Sequence, residues 1–230
     1  MNTSPEALAA PNESMEVLLA EWREHLVAEA GHFVGDGIVC EDGWRQAKRK
    51  VLFLLKEPNG YQGEKGPLND LLRQAAQPKS SSKLWDRPTF HNLGRWAFGL
   101  INYSGHAPTY DEANRAYRTA VLGCAYINIK KSSGGARATK QVELHASKYG
   151  AFLRRQVDLI APDIVVCGGT YRILKDHVYP SLSRVSSRVH RLDERIFINA
   201  FHPGCRTNRK AVYDQVLSSF QQFMSTGDQL

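Results

Sequence analysis

The sequence predicts an α/β fold, a three-layer α/β/α sandwich with a central, mostly parallel sheet of four strands. Three observations carry this expectation. Short apolar runs without polar interruption suit strands covered on both faces. Stretches with helical period lie between them. Strands alternating with helices favour parallel pairing, because a parallel neighbour needs a crossover. There is no internal repeat, so residues 14–230 read as one domain behind a loose tail over 1–13, with a short helix after Ser4-Pro5.

The elements follow in order. In "SMEVLLAEWREHLVAEAG", Leu18, Trp22, Leu26 and Ala30 recur every four residues and Gly31 is a natural stop, so this stretch reads as an amphipathic helix. "VLFLL" (51–55) is the first strand. Residues 60–90 are rich in Gly, Pro, Ser and Lys; "LNDLLRQAA" within them reads as helix and "SSSK" (80–83) as a mobile loop tip. "FHNLGRWAFGLINY" returns to helix, and "CAYINI" (124–129) is the second strand. "QVELHASKYGAFLRRQVDLIAP" forms a long helix with Leu153, Val157 and Ile160 on one face, ending near Pro162. "DIVVCGG" (163–169) and "RIFINAFHPG" (195–204) supply the third and fourth strands. "AVYDQVLSSFQQFM" closes the chain, with Val212, Val216 and Phe220 in register.

Composition narrows the function. Of the 230 residues, 42% are hydrophobic and 23% charged, as in ordinary globular domains. No apolar run is long enough to span a bilayer, and no basic segment followed by an apolar core marks a secretory signal. Cys40, Cys124, Cys167 and Cys205 are widely spaced and form no CxxC pair, so neither a metal nor a cluster is expected. That usage fits a reducing, cytoplasmic compartment. The net charge of +7 suggests a polyanionic partner.

In open α/β sheets ligands bind beyond the carboxyl ends of the strands. The first strand is followed by Lys56-Glu57-Pro58-Asn59-Gly60, the second by "KKSSGGARATK", the third by Gly168-Gly169-Thr170 and the fourth by "HPGCRTNRK". One edge thus collects a carboxylate, an imidazole, glycine-rich turns and many cations. Glycine turns expose N–H groups to phosphate, and cations neutralise it. The cluster Arg45, Lys48, Arg49 and Lys50 precedes the first strand, at the opposite edge, and is not assigned to the site.

Over residues 50–224 this ordered set resembles the uracil-DNA glycosylase superfamily. "LLKEPNG" is similar to its first motif, a strand ending in an acidic residue and proline. "FHPGCR" looks like its last, His-Pro-Ser, with Gly204 in place of Ser and no obvious apolar wedge after it. Asn128 in "YINIKK" is the counterpart of a base-reading Asn, and "APDIVVCGGT" is similar to the third strand and its phosphate-contacting turn. Asn59 stands where uracil-specific enzymes place a bulky Tyr, and the iron–sulfur cysteines of some branches are not matched.

The resemblance implies a monofunctional DNA glycosylase, without metal or cofactor, that flips a base and hydrolyses its glycosidic bond. Glu57 would stabilise the sugar cation and orient water, and His202 would donate to the departing base's carbonyl oxygen. Asn128 and Asn59 would bind the base, with Phe90, ahead of Tyr61, as its aromatic floor. Lys130, Lys131, Gly168, Gly169, Thr170, Arg206 and Arg209 would contact the DNA backbone. Room beside Asn59 favours a C5-modified cytosine such as the glucosylated hydroxymethylcytosine that some bacterial relatives excise in phage defence. Repair of uracil or another deaminated base is the alternative. Two further readings are an inactive nucleic-acid-binding module of this fold and a hydrolase of small nucleosides. DNA, duplex or single-stranded, is the expected partner of a monomer that binds no membrane.

Overall fold

A computed structural model describes residues 14–135, 139–205 and 207–226. The tail over 1–13, Arg137 and Arg206 lie outside the described residues. The elements are α1 (Met15–Ala30), β1 (Gly37–Ile38), α2 (Glu41–Gln46), β2 (Val51–Leu55), α3 (Leu68–Ala75), α4 (Pro88–Ile101), α5 (Tyr110–Ala120), β3 (Cys124–Asn128), α6 (Thr139–Ile160), β4 (Ile164–Gly168), α7 (Tyr171–His177), β5 (Ser183–Arg184), β6 (Val189–Leu192), β7 (Arg195–Ala200) and α8 (Arg209–Ser225).

The protein is α/β, and among the described residues its sheet is mixed and seven-stranded, in the order β1-β3-β2-β4-β7-β6-β5. The expected four strands are its parallel centre, β3-β2-β4-β7. Four is therefore corrected to seven: β1 adds antiparallel to one side, and the β6–β5 hairpin adds to the other. These extra strands escape a search for apolar runs because they are short; both residues of β5 are exposed.

The central strands are largely apolar because both faces are covered; β2 and β4 carry no charged or amide side chain, whereas β3 ends in Asn128 and β7 carries Arg195 and Asn199. Val51, Phe53 and Leu55 of β2 join one core with α3, α4, α5 and α8, whereas Leu52 and Leu54 join another with α1, α6 and α7. The period of two divides each strand between the cores. Helix α1 begins where the Ser14 hydroxyl accepts from the Val17 N–H (3.2 Å) and ends at Gly31, whose φ of 73° favours glycine. The remote basic cluster is partly structural. Lys50 donates to the carbonyls of Trp44, Arg45 (3.1 Å) and Ala47 (3.2 Å) around the end of α2, as a cation at a helix C-terminus should. Among the described residues no helix is long and apolar enough to cross a membrane.

Register sets the carboxyl edge. Leu55 pairs with Asn128, Leu54 with Cys167 and Gly168 with Ala200, so the four parallel strands finish nearly level. The β2–β3 ladder continues past both strand ends through Ile129 N–H to Leu55 O and Lys130 N–H to Lys56 O, each 2.9 Å. A final bridge joins Asn59 to Gly134. The two loops therefore leave the sheet together.

Candidate active site

Glu57, Asn59, Phe90 and His202 line one cavity of about 500 Å3, beside Tyr61, Arg87 and Tyr126. The Glu57 side chain is only 6% exposed and takes an ion pair from Lys130 Nζ at 3.0 Å. The same ammonium donates to Ser133 O at 2.8 Å, which fixes the loop that carries it. On the other side of the carboxylate, a Cβ at Gly134 would collide with Glu57. Glycine there lets the carboxylate keep its position, since any Cβ would push it aside.

His202 sits on the turn after β7. Its Nδ1 accepts from the Gly204 N–H at 3.0 Å, so the neutral ring carries its proton on Nε2 and can donate from there. Burial, aided by the Lys56 ammonium, lowers its pKa below the usual histidine range and favours that neutral form. The turn is held from outside its own strand. Asn92 Nδ2 of α4 donates to Pro203 O at 2.6 Å, and Arg95 Nη1 donates to Asn92 Oδ1 at 2.9 Å. Arg95 Nε and Nη2 reach Asn114 Oδ1 of α5 at 2.9 and 2.6 Å, while its guanidinium lies over the Tyr110 and Tyr117 rings. Asn92→Leu should leave a buried guanidinium N–H and the Pro203 carbonyl unsatisfied. Denaturant unfolding should then show a loss of about 1–3 kcal/mol; unchanged stability would mean that the chain of polar groups does not hold the turn.

Asn128 is fully buried, and neither its Oδ1 nor its Nδ2 has a hydrogen-bond partner among the described residues. Its side chain shares a face of β3 with Tyr126, which lines the cavity. Burial raises the Tyr126 hydroxyl well above its usual range, and the neighbouring Asn128 amide partly offsets this. Phe90 is buried at 5% exposure, with its ring centroid 6.1 Å from that of Tyr126, so it serves core and cavity at once.

Several expected backbone contacts are corrected. Lys131 is 0% exposed, its ammonium 2.5 Å from Asp36 Oδ1 and 5.0 Å from the centre of the Trp22 ring. It belongs to the core behind the sheet and has no surface to offer a phosphate. Lys130 is committed to Glu57. Thr170 is buried and donates to Leu54 O at 2.8 Å. The Gly169 N–H is directed to Cys167 O and Ala200 O, both 2.9 Å, and a Cβ at Gly168 would strike Leu55. This turn is therefore glycine-rich for packing reasons. Arg209 does stand exposed at the start of α8.

Sequence reasoning missed three groups. Asp36, fully buried at its carboxylate, also accepts from the Asn128 N–H (2.8 Å) and Gln156 Nε2 (3.1 Å). His32 Nε2 accepts from the Ser133 N–H at 2.7 Å and helps fix the loop that bears Lys130. Phe201, immediately before His202, is 50% exposed beneath the Arg188 guanidinium, 5.1 Å from its ring centre. Among the described residues no group of three or more His, Cys, Asp or Glu side chains is arranged to hold a metal.

Fold and site together define an α/β protein with a carboxylate–imidazole cavity at the carboxyl edge of its sheet. Compared with known proteins, the chain matches no family model, and no curated protein matches it significantly.

Proposed function

We propose that this protein is a monofunctional DNA glycosylase that hydrolyses the N-glycosidic bond of a flipped base. The observation that carries the reading is the convergence of Glu57 and His202 on one cavity walled by Phe90 and Tyr126. Cleaving this bond puts positive charge on the sugar and negative charge on the departing base. A fixed carboxylate answers the first, and a neutral imidazole donating from Nε2 answers the second. The unpartnered Asn128 amide carries one donor and one acceptor, but it is fully buried and does not line the cavity, so it does not carry the reading. Covered faces on both sides of the sheet fit the three-layer sandwich of the uracil-DNA glycosylase superfamily, which "LLKEPNG" and "FHPG" resemble.

The net charge of +7 supports DNA as the partner, with Arg209 as an exposed backbone contact. The protein acts as a cytoplasmic monomer without a cofactor. Its substrate is a C5-modified cytosine such as glucosylated hydroxymethylcytosine, in an antiviral role, because Asn59 at the cavity wall is short where a tyrosine would close the C5 side. The test is single-turnover excision, read as alkali-labile sites, from duplexes carrying uracil, hypoxanthine, hydroxymethylcytosine or its glucosylated form. Asn59→Tyr should cut excision of the C5-extended cytosines by roughly tenfold or more through steric exclusion, with much less effect on any uracil activity. An equal rate on the bulky base would remove Asn59 as the gate, and an absence of abasic sites in every duplex would remove the glycosylase reading.

A further inference from the structure

A second cavity, about 630 Å3, adjoins the first and shares Tyr61, Leu71, Leu84 and Arg87 with it. Beyond that doorway the wall changes character. Gln74, Ser80, Ser81, Ser82 and Lys83 line the outer chamber, contributed by the end of α3 and the loop that follows. The loop's own hydrogen bonds leave much of its polarity available. Ser80 Oγ accepts from the Ser82 N–H at 3.4 Å, and Ser82 Oγ accepts from the Leu84 N–H at 3.3 Å. Both hydroxyls act there as acceptors and retain a proton to donate. The exposed Gln74 amide offers a donor and an acceptor.

We propose that this outer chamber binds a hexose carried on the excised base, which rests on the base-excision reading above. A pyranose presents hydroxyls that both donate and accept, together with apolar C–H edges. Serine hydroxyls and a carboxamide match the hydroxyls, and Tyr61, Leu71 and Leu84 offer apolar contact at the doorway. The Tyr61 ring is fixed, since its hydroxyl donates to Gly66 O and accepts from the Lys65 N–H at 3.1 Å. A bare phosphate fits less well, because Glu64 stands in the same wall as Lys65, Lys83 and Arg87. An unsubstituted base would occupy the inner cavity alone. A sugar on its C5 side would pass the doorway and exchange water for the serines and Gln74.

The experiment compares single-turnover excision of hydroxymethylcytosine and its glucosylated form by the parent, Ser81→Trp and Gln74→Leu, with folding checked by thermal melting. Neither position touches Glu57 or His202 in the cavity they share. Ser81→Trp, which fills the chamber, should lower the rate on the glucosylated base by roughly 50-fold, within the range a pocket clash produces. Gln74→Leu should lower it about tenfold, the effect of one lost hydrogen bond. Both should stay within about threefold of the parent on hydroxymethylcytosine, as expected of substitutions that spare the reacting groups. If the parent removes the glucosylated base and both variants match it, base excision stands and the sugar subsite falls. Equal losses on both bases would also overturn the subsite. If the parent excises neither base, the subsite falls too, and the uracil and hypoxanthine duplexes then decide whether base excision itself survives.

Discussion

Replacing Glu57 by glutamine should slow base excision by on the order of 100- to 1,000-fold, while DNA affinity changes no more than a few-fold. The amide has the shape of the carboxylate and can still accept from Lys130, so the loop beyond β3 has little reason to move. What disappears is a fixed negative charge, 6% exposed, which the proposed reaction places beside the forming sugar cation. Such a charge acts strongly because it is already oriented before the reaction begins. Single-turnover rates at saturating enzyme isolate this effect from binding. Gly134→Ala offers an independent approach, since the added methyl must displace the carboxylate without altering its chemistry. Both variants should lose turnover. A folded Glu57→Gln protein working at near-parent rates would remove Glu57 from the mechanism.

His202→Ala should cost a comparable 100- to 1,000-fold, because in the proposed reaction the Nε2 hydrogen bond strengthens as charge develops on the leaving base. The pH profile adds a signature that a structural histidine would lack. Burial and Lys56 favour the neutral ring, so the rate should stay level through neutrality and fall only below the ordinary histidine range. Protonation would place a hydrogen on Nδ1, opposed to the Gly204 N–H it now accepts. Lys56→Met removes a nearby positive charge, makes protonation easier and should move that fall toward higher pH. A folded His202→Ala protein with an unchanged rate on every active substrate would leave His202 only a turn-forming role.

The parallel centre of the sheet was legible in the sequence because each of its strands carries an apolar run buried on both faces, even where β7 also holds Arg195 and Asn199. The carboxyl edge was legible for the same reason, since whatever follows such a run must emerge there. Helix α5 was also readable, though it was missed: Thr109 and Glu112 form a reciprocal cap whose spacing is visible in "TYDE". The β5–β6 hairpin has no comparable apolar signal. The two lysines after β3 show a deeper limit. They are neighbours in sequence, but they lie on the bend that follows β3, where their side chains part to opposite sides of the sheet. Lys130 consequently meets Glu57 while Lys131 enters the core, and composition cannot say which does which. Asp36 was unreadable because its partners Asn128, Lys131 and Gln156 lie 92, 95 and 120 positions away.

The stitching of residues 32–39 to β3 and its following loop bears on how the molecule opens. His32, Val34, Asp36 and Val39 each bond to this region, through Ser133, Lys131, Asn128 and Cys124. The Asp36–Lys131 pair is completely dry, and a charge left without its partner in such a place costs about 3–5 kcal/mol. Neither stretch can therefore fray alone. In amide hydrogen exchange the Asn128 and Ser133 protons should belong to the same cooperative unit as those of Val34 and Val39. The loop that presents Lys130 and Gly134 to Glu57 would then be among the last parts of the protein to melt, held in order by a segment nearly a hundred residues upstream.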